Sequence, residues 1–124
     1  MIGLTLTLAI LAPTDPLDAV TAAPATHVVV LENDNVRVLQ VTVMPGETEP
    51  PHVHQWPSVM HIEHAQPLMD IIYEMRDGTL VEVRRVQLPE GPPPQALWFP
   101  PEGPHAIHNG GSEPFRALRI EIKR

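Results

Sequence analysis

Sixteen prolines are spread through these 124 residues, from Pro13 to Pro114, and they constrain the fold more than any other feature. Proline lacks the amide donor and its ring collides with the preceding helical turn, so few windows remain in which a helix could run uninterrupted. The segments between the prolines are instead short, rich in β-branched residues and closed by turn residues. Many short strands with turns every eight to twelve residues or so predict an all-β sandwich or barrel. The length predicts one domain with a single core.

Taken in order, His27 to Leu31 reads as a strand ending at the turn cluster Glu32-Asn33-Asp34-Asn35, and Val36 to Val43 as a second strand closed by Pro45-Gly46. Ser58 to Glu63 and Met69 to Met75 follow, with Pro57 and Pro67 at their starts, where a missing amide does least harm. Arg76-Asp77-Gly78 predicts a hairpin turn into Leu80 to Val86. Leu88 to Pro94 reads as a loop, Ala96 to Phe99 as a short strand, and Pro100 to Pro104 as a sharp turn ahead of His105. In the last strand, Phe115 to Lys123, Leu118, Ile120 and Ile122 alternate with Arg119, Glu121 and Lys123, which predicts a half-buried strand with the aliphatic face inside.

The segment Met1 to Ala12 is an apolar run, followed by Pro13 and small residues through Ala22-Ala23. Residues 1–23 therefore resemble a secretory leader without its basic start, with a strand over Thr5 to Ile10 as the other reading. The leader would place the protein in the periplasm or outside the cell; without it the protein is cytoplasmic. The domain itself is expected over residues 27–124. The run is too short to span a bilayer, so an integral membrane protein is not expected. A formal net charge of −7 with scattered basic residues gives no footprint for nucleic acid or an anionic membrane. A small-molecule partner is the better expectation. With no cysteine, any metal must be held by imidazole or carboxylate.

Seven histidines are many for this length, and most are clustered. His52 and His54, two apart in an extended segment, project to one face. His105 opens a segment that an antiparallel barrel can lay beside them, completing a three-imidazole face with open positions. His108, three residues on, faces the other way and reads as a surface residue; His61 points away from Ser58 and His64 reads as a loop residue before Pro67, with a substitute metal ligand as the lesser reading of either. Glu47 and Glu49 read as solvated turn carboxylates. No nucleophile elbow or phosphate-binding glycine loop is present.

Gly46, five residues and then His52-Val53-His54 resemble the first cupin motif, and Pro101-Glu102-Gly103-Pro104-His105 with Asn109 resembles the second. The resemblance runs from Val36 to about Ile122. It implies a double-stranded β-helix, a jelly-roll barrel whose mouth holds a divalent metal ion on His52, His54 and His105; iron, manganese, nickel and zinc all remain open. It also implies a homodimer. Two departures stand out. The glutamate expected four or five residues after the second histidine is replaced by Ser58 and Val59, and the spacing from Gly103 to His105 is one residue short. Such a site resembles the three-histidine cupin dioxygenases rather than the oxalate and germin type. Losing an anionic ligand leaves a bound ion more positive and with one more open position, which favours an anionic or bidentate substrate.

Around the pocket we expect Ser58, Tyr73, Trp98 and Asn109; Trp56 and Trp98 flank the motifs as pocket walls or as core aromatics, and Tyr73 is a candidate proton donor. The expected function is that of a small metal-binding cupin, dioxygenase-like on a small organic substrate. The alternative is a non-catalytic ligand-binding or sensor module.

Overall fold

The computed structural model describes residues 15–123. Within them lie a short helix, α1 (Ala19–Ala22), and the strands β1 (His27–Glu32), β2 (Val36–Val43), β3 (His52–His54), β4 (Ser58–His64), β5 (Leu68–Arg76), β6 (Thr79–Gln87), β7 (Leu97–Phe99), β8 (Glu102–Asn109) and β9 (Phe115–Ile122). They form a five-stranded sheet ordered β1-β2-β9-β4-β7 and a four-stranded sheet ordered β3-β8-β5-β6, with every strand pair antiparallel. The expected all-β jelly-roll is what forms. Of the segment from Pro100 to Pro104, expected as a turn, Glu102 to Pro104 belong to β8, because the backbone pairs with β3 at Glu102.

Two turns explain their residues. Asp77 and Gly78 both have positive φ, 49° and 78°, which the twist of the β5–β6 hairpin requires and which Asp-Gly tolerates. Gly46, with φ of 77°, turns the chain between β2 and the histidines of β3, a conformation that side chains with a Cβ rarely adopt.

The register of β2 against β9 organises the interior. It places Val43 opposite Phe115, Val41 opposite Ala117, Leu39 opposite Arg119 and Arg37 opposite Glu121, and all eight are buried. The inner face therefore grades from apolar at Val43 and Phe115 to ionic at Arg37 and Glu121. This reverses the facing expected for β9: Arg119 and Glu121 point inward, while Leu118, Ile120 and Ile122 lie half-buried on the other face. Alternation reveals two faces but not which is inside, and here the charges have buried partners. Arg37 donates through Nε to Glu121 Oε1 at 2.6 Å and through both terminal nitrogens to Asp18 at 2.9 and 2.8 Å. Arg119 donates to Glu102. At the apolar end, Leu39, Val41, Val43, Leu68, Phe115 and Ala117 form one cluster. Each full burial of a leucine, valine or phenylalanine contributes about 1.5–3 kcal/mol.

Residues 15–23 pack on this barrel. Asp18 accepts from Val20 N at the start of α1, Val53 N donates to Leu17 O at 2.7 Å, and Ala19 and Ala23 are buried. The alternative strand over Thr5 to Ile10 lies outside the described residues.

Candidate metal centre

The parity argument for β3 is realised: His52 and His54 are both buried on one face, with Val53 between them half-buried on the other. Pairing of β3 with β8 sets His52 opposite His105 and His54 opposite Glu102. A third imidazole comes from the first residue of β1. One ring nitrogen from each of His27, His52 and His54 lies within 4.8 Å of the others. The ring of His27 is 4.5 Å from that of His52 and 5.3 Å from that of His54, and those two are 5.1 Å apart. His105 lies alongside, its ring 4.6 Å from His52 and 5.7 Å from His54.

Each ring is held by its Nδ1. His52 Nδ1 donates to Pro50 O at 2.9 Å, His105 Nδ1 to Gly103 O at 2.8 Å, and His54 Nδ1 to Glu121 Oε2 at 3.0 Å. Thr26 donates its hydroxyl to Glu49 Oε2 at 2.7 Å, so its oxygen, 3.0 Å away, accepts from His27 Nδ1. A proton held at Nδ1 leaves Nε2 as the lone pair on all four rings, the tautomer in which metal-binding histidines are fixed. The donor set fits a divalent transition ion: neutral imidazoles, fixed by carbonyls, a hydroxyl and a carboxylate behind them.

Electrostatics keep the rings of His27, His52 and His54 neutral. His27 is lowered from 6.5 to about 3, chiefly by burial and then by His54, and His52 to about 2 by burial and then by His27 and His105. His54 is pushed down still further, by burial and then by Arg119. Glu49 behind His27 is only 4% exposed, not the solvated turn carboxylate expected. Burial raises it to about 7 against the pull of Thr26 and of the Ile107 amide, which donates to Oε1 at 3.2 Å.

A cavity of about 600 Å³ opens from the histidines into the barrel. Val41, Met60, Leu68, Leu97, Ile107 and Phe115 line its apolar part, and His27, His52, His54 and His105 its polar end, with Arg119 and Glu102.

The other residues expected at the pocket are distributed as follows. Ser58, at the position of the expected glutamate, is fully buried opposite Glu121, and its Oγ has no partner among the described residues. Asn109 is buried and ties the β8–β9 connection, donating to Val43 O and Glu113 O and accepting from Gly111 N. Tyr73 lies beside a separate small cleft with Asp70, Gly103 and His105. Trp98 is 59% exposed, between Leu97 and Phe99, which do line the cavity. Trp56 lies under the Arg37 guanidinium, 5.1 Å from its ring centre. His61, His64 and His108 bond Gln95 O, Pro114 O and Thr48 Oγ1. His27, Glu49 and Arg119 escaped the sequence reading. His27 stands outside both motifs, and its only signal was a histidine opening an otherwise aliphatic strand.

No protein-family model matches the chain, and no curated protein matches its sequence. Solved structures do. A cupin domain from Bordetella pertussis Tohama I superposes with a TM-score of 0.57 at 23% identity, covering 79% of this chain and 92% of that one. A protein from Bacillus halodurans matches with a TM-score of 0.50 at 16% identity over 80% of this chain and 70% of its own. An RmlC-like cupin family protein with a double-stranded β-helix fold from Methanocaldococcus jannaschii matches at 0.49 and 18% identity, over 79% and 81%. With the two antiparallel sheets, the order of the two histidine motifs along them and the likeness to the Bordetella domain, this chain is a small protein of the cupin fold.

Proposed function

We propose that the protein holds a divalent metal ion on His27, His52 and His54, with His105 at its side, and acts on a small organic molecule taken into the adjoining cavity. The observation that carries this reading is the set of buried, neutral imidazoles with their Nδ1 atoms already engaged and three ring nitrogens within 4.8 Å of one another. His27 stands in for the glutamate ligand that Ser58 replaces, so the donor set is wholly neutral. When bound, an iron(II) ion would supply dioxygen activation and a zinc ion Lewis-acid chemistry.

The chain's own groups orient and exclude. Glu121, held in place by Arg37, accepts the Nδ1 proton of His54 and fixes that ring. Thr26 and Glu49 do the same for His27. The aliphatic lining keeps bulk water from the reacting end and strengthens every charge interaction there. A reading as a binding module without turnover draws on one observation, the predominance of aliphatic residues in the lining beyond the histidines. Export and dimerisation remain part of the proposal on the leader-like segment and the family resemblance.

The test is metal analysis of tag-free protein. Wild type is expected to carry close to one ion per chain, and His27→Ala to fall as far as the His52→Ala/His54→Ala double variant. Wild-type occupancy for His27→Ala would remove it from the ligand set, and equal, near-zero metal in wild type and the double variant would end the reading. Oxygen uptake by iron-loaded protein across a substrate panel then separates turnover from binding alone.

A further inference from the structure

Arg119 sits where the cavity changes character. On β9 it follows Phe115 and Ala117, which face the apolar end, and precedes Glu121, which belongs to the ionic end. Across the sheet it lies opposite Leu39 on β2 and Met60 on β4, and it lines the cavity together with the histidines. Its burial is nearly complete, with 3% of the residue exposed. One edge of the guanidinium is fixed: a terminal nitrogen donates to Glu102 Oε1, and the Phe99 ring lies 5.3 Å below its central carbon. The Nε–H has no acceptor among the described residues, although it is withdrawn from solvent. A buried charged donor without a partner is unusual, because losing hydration without a replacement acceptor is costly.

We infer that Arg119 is the anchor for the anionic end of the ligand, and that the molecule this cavity takes is amphiphilic: a carboxylate or similar oxyanion against Arg119, joined to an apolar body lying along Val41, Ile62, Leu68 and Phe115. The inference rests on the reading of this cavity as the substrate chamber and narrows the substrate class. Three features converge on it. The orphan Nε–H supplies a charge-assisted donor in a dry site, where such bonds are strongest. No imidazole nitrogen of the site accepts from the Arg119 Nε–H among the described residues, so the histidines leave that donor to a ligand. The aliphatic stretch begins one residue pair away, at Ala117 and Val41, which fixes the order of head and tail.

The experiment uses hexanoate and its neutral counterpart hexanamide as probes, on full-length protein labelled with nitrogen-15 at arginine, first treated with EDTA and then loaded with zinc. In metal-free protein, hexanoate is expected to bind about tenfold or more tighter than hexanamide, the worth of one charge-assisted bond. It should also shift the Arg119 Nε–H resonance, assigned by its absence in Arg119→Lys, while hexanamide leaves it in place. Arg119→Met should lose the preference for hexanoate and keep its affinity for hexanamide; Arg119→Lys, with charge but no Nε, should keep only part of the preference. Equal binding of the two probes to wild type, or an unmoved Nε–H signal at saturating hexanoate, overturns the inference even if Arg119→Met fails to fold. Because these signals are read without metal, failure of zinc to bind bears on the metal reading alone, and failure of the arginine signal sinks this inference alone.

Discussion

His27 and Glu49 share a buried corner, with His27 Nδ1 3.4 Å from Glu49 Oε2, and burial works on them in opposite senses. It favours the neutral imidazole, lowering His27 to about 3, and the neutral carboxyl, raising Glu49 to about 7. Both shifts make stability depend on pH. For His27 and His52 the unfolded chain takes up protons below its ordinary 6.5 while the fold does not, so stability is lost as pH falls from about 6.5 towards 3. At about pH 5 each ring costs about 2 kcal/mol, and His54 adds to the same trend. Glu49 runs the other way: the fold holds its proton below about 7 and the unfolded chain only below 4.5, so acidification across that window stabilises. Three rings outweigh one carboxyl. Metal-free protein is therefore expected to lose several kcal/mol between about pH 7 and pH 5, and Glu49→Gln to fall about 2 kcal/mol more steeply over the same range because the offset is gone. Urea midpoints at a series of pH values would check this, and a midpoint constant from pH 7 to 5 would contradict it.

At the scale of elements, the segment ahead of β1 acts as a strap on the ionic end of the barrel. Asp18 is buried and chelates Arg37, Arg37 holds Glu121, and Glu121 holds His54, so a chain of charge-assisted bonds runs from the strap to the candidate ligand. A leader cut after Ala23 would take Asp18 with it and leave Arg37 buried beside one carboxylate instead of two. A chain beginning at Pro24 is accordingly expected to be about 3–5 kcal/mol less stable than the full chain, with Asp18→Asn reproducing much of the loss. Denaturant unfolding of the three proteins side by side measures it; equal midpoints would show the strap to be dispensable. This dependence was not legible in the sequence, where residues 1–23 read as a leader. Local rules did find the strands, the Asp77-Gly78 hairpin and the facing of His52 with His54, because turn chemistry and two-residue alternation act within a few residues. They failed at β9, at Glu49 and at His27. In each case the deciding fact is a partner distant along the chain: Glu102 for Arg119, Thr26 for Glu49, His52 and His54 for His27. No periodicity records that kind of pairing.

For the whole molecule, the remaining matter is how the barrel ends at its edge. Among the described residues, β1 is the outer strand of the five-stranded sheet and pairs with β2 alone. It nevertheless carries Val28, Val30 and Leu31 at 53%, 56% and 51% exposure, alongside Val29. Water-exposed edge strands usually carry charge, proline or a bulge that discourages pairing with another chain. Here a register shift between Val29 and Leu31 supplies some irregularity, but the side chains remain aliphatic. Such an edge calls for a cover, and a second copy of the same edge, related by a two-fold axis, matches it in character. This is where the homodimer expected from the cupin resemblance would form. Size-exclusion chromatography with light scattering should then give twice the chain mass of 13.7 kDa for wild type. Val30→Lys, which places a desolvated charge in the joint without touching the cavity, should run as a monomer with unchanged metal content. A wild-type monomer at micromolar concentration would rule the edge out as an interface, and a Val30→Lys dimer would move the interface to another face of the barrel.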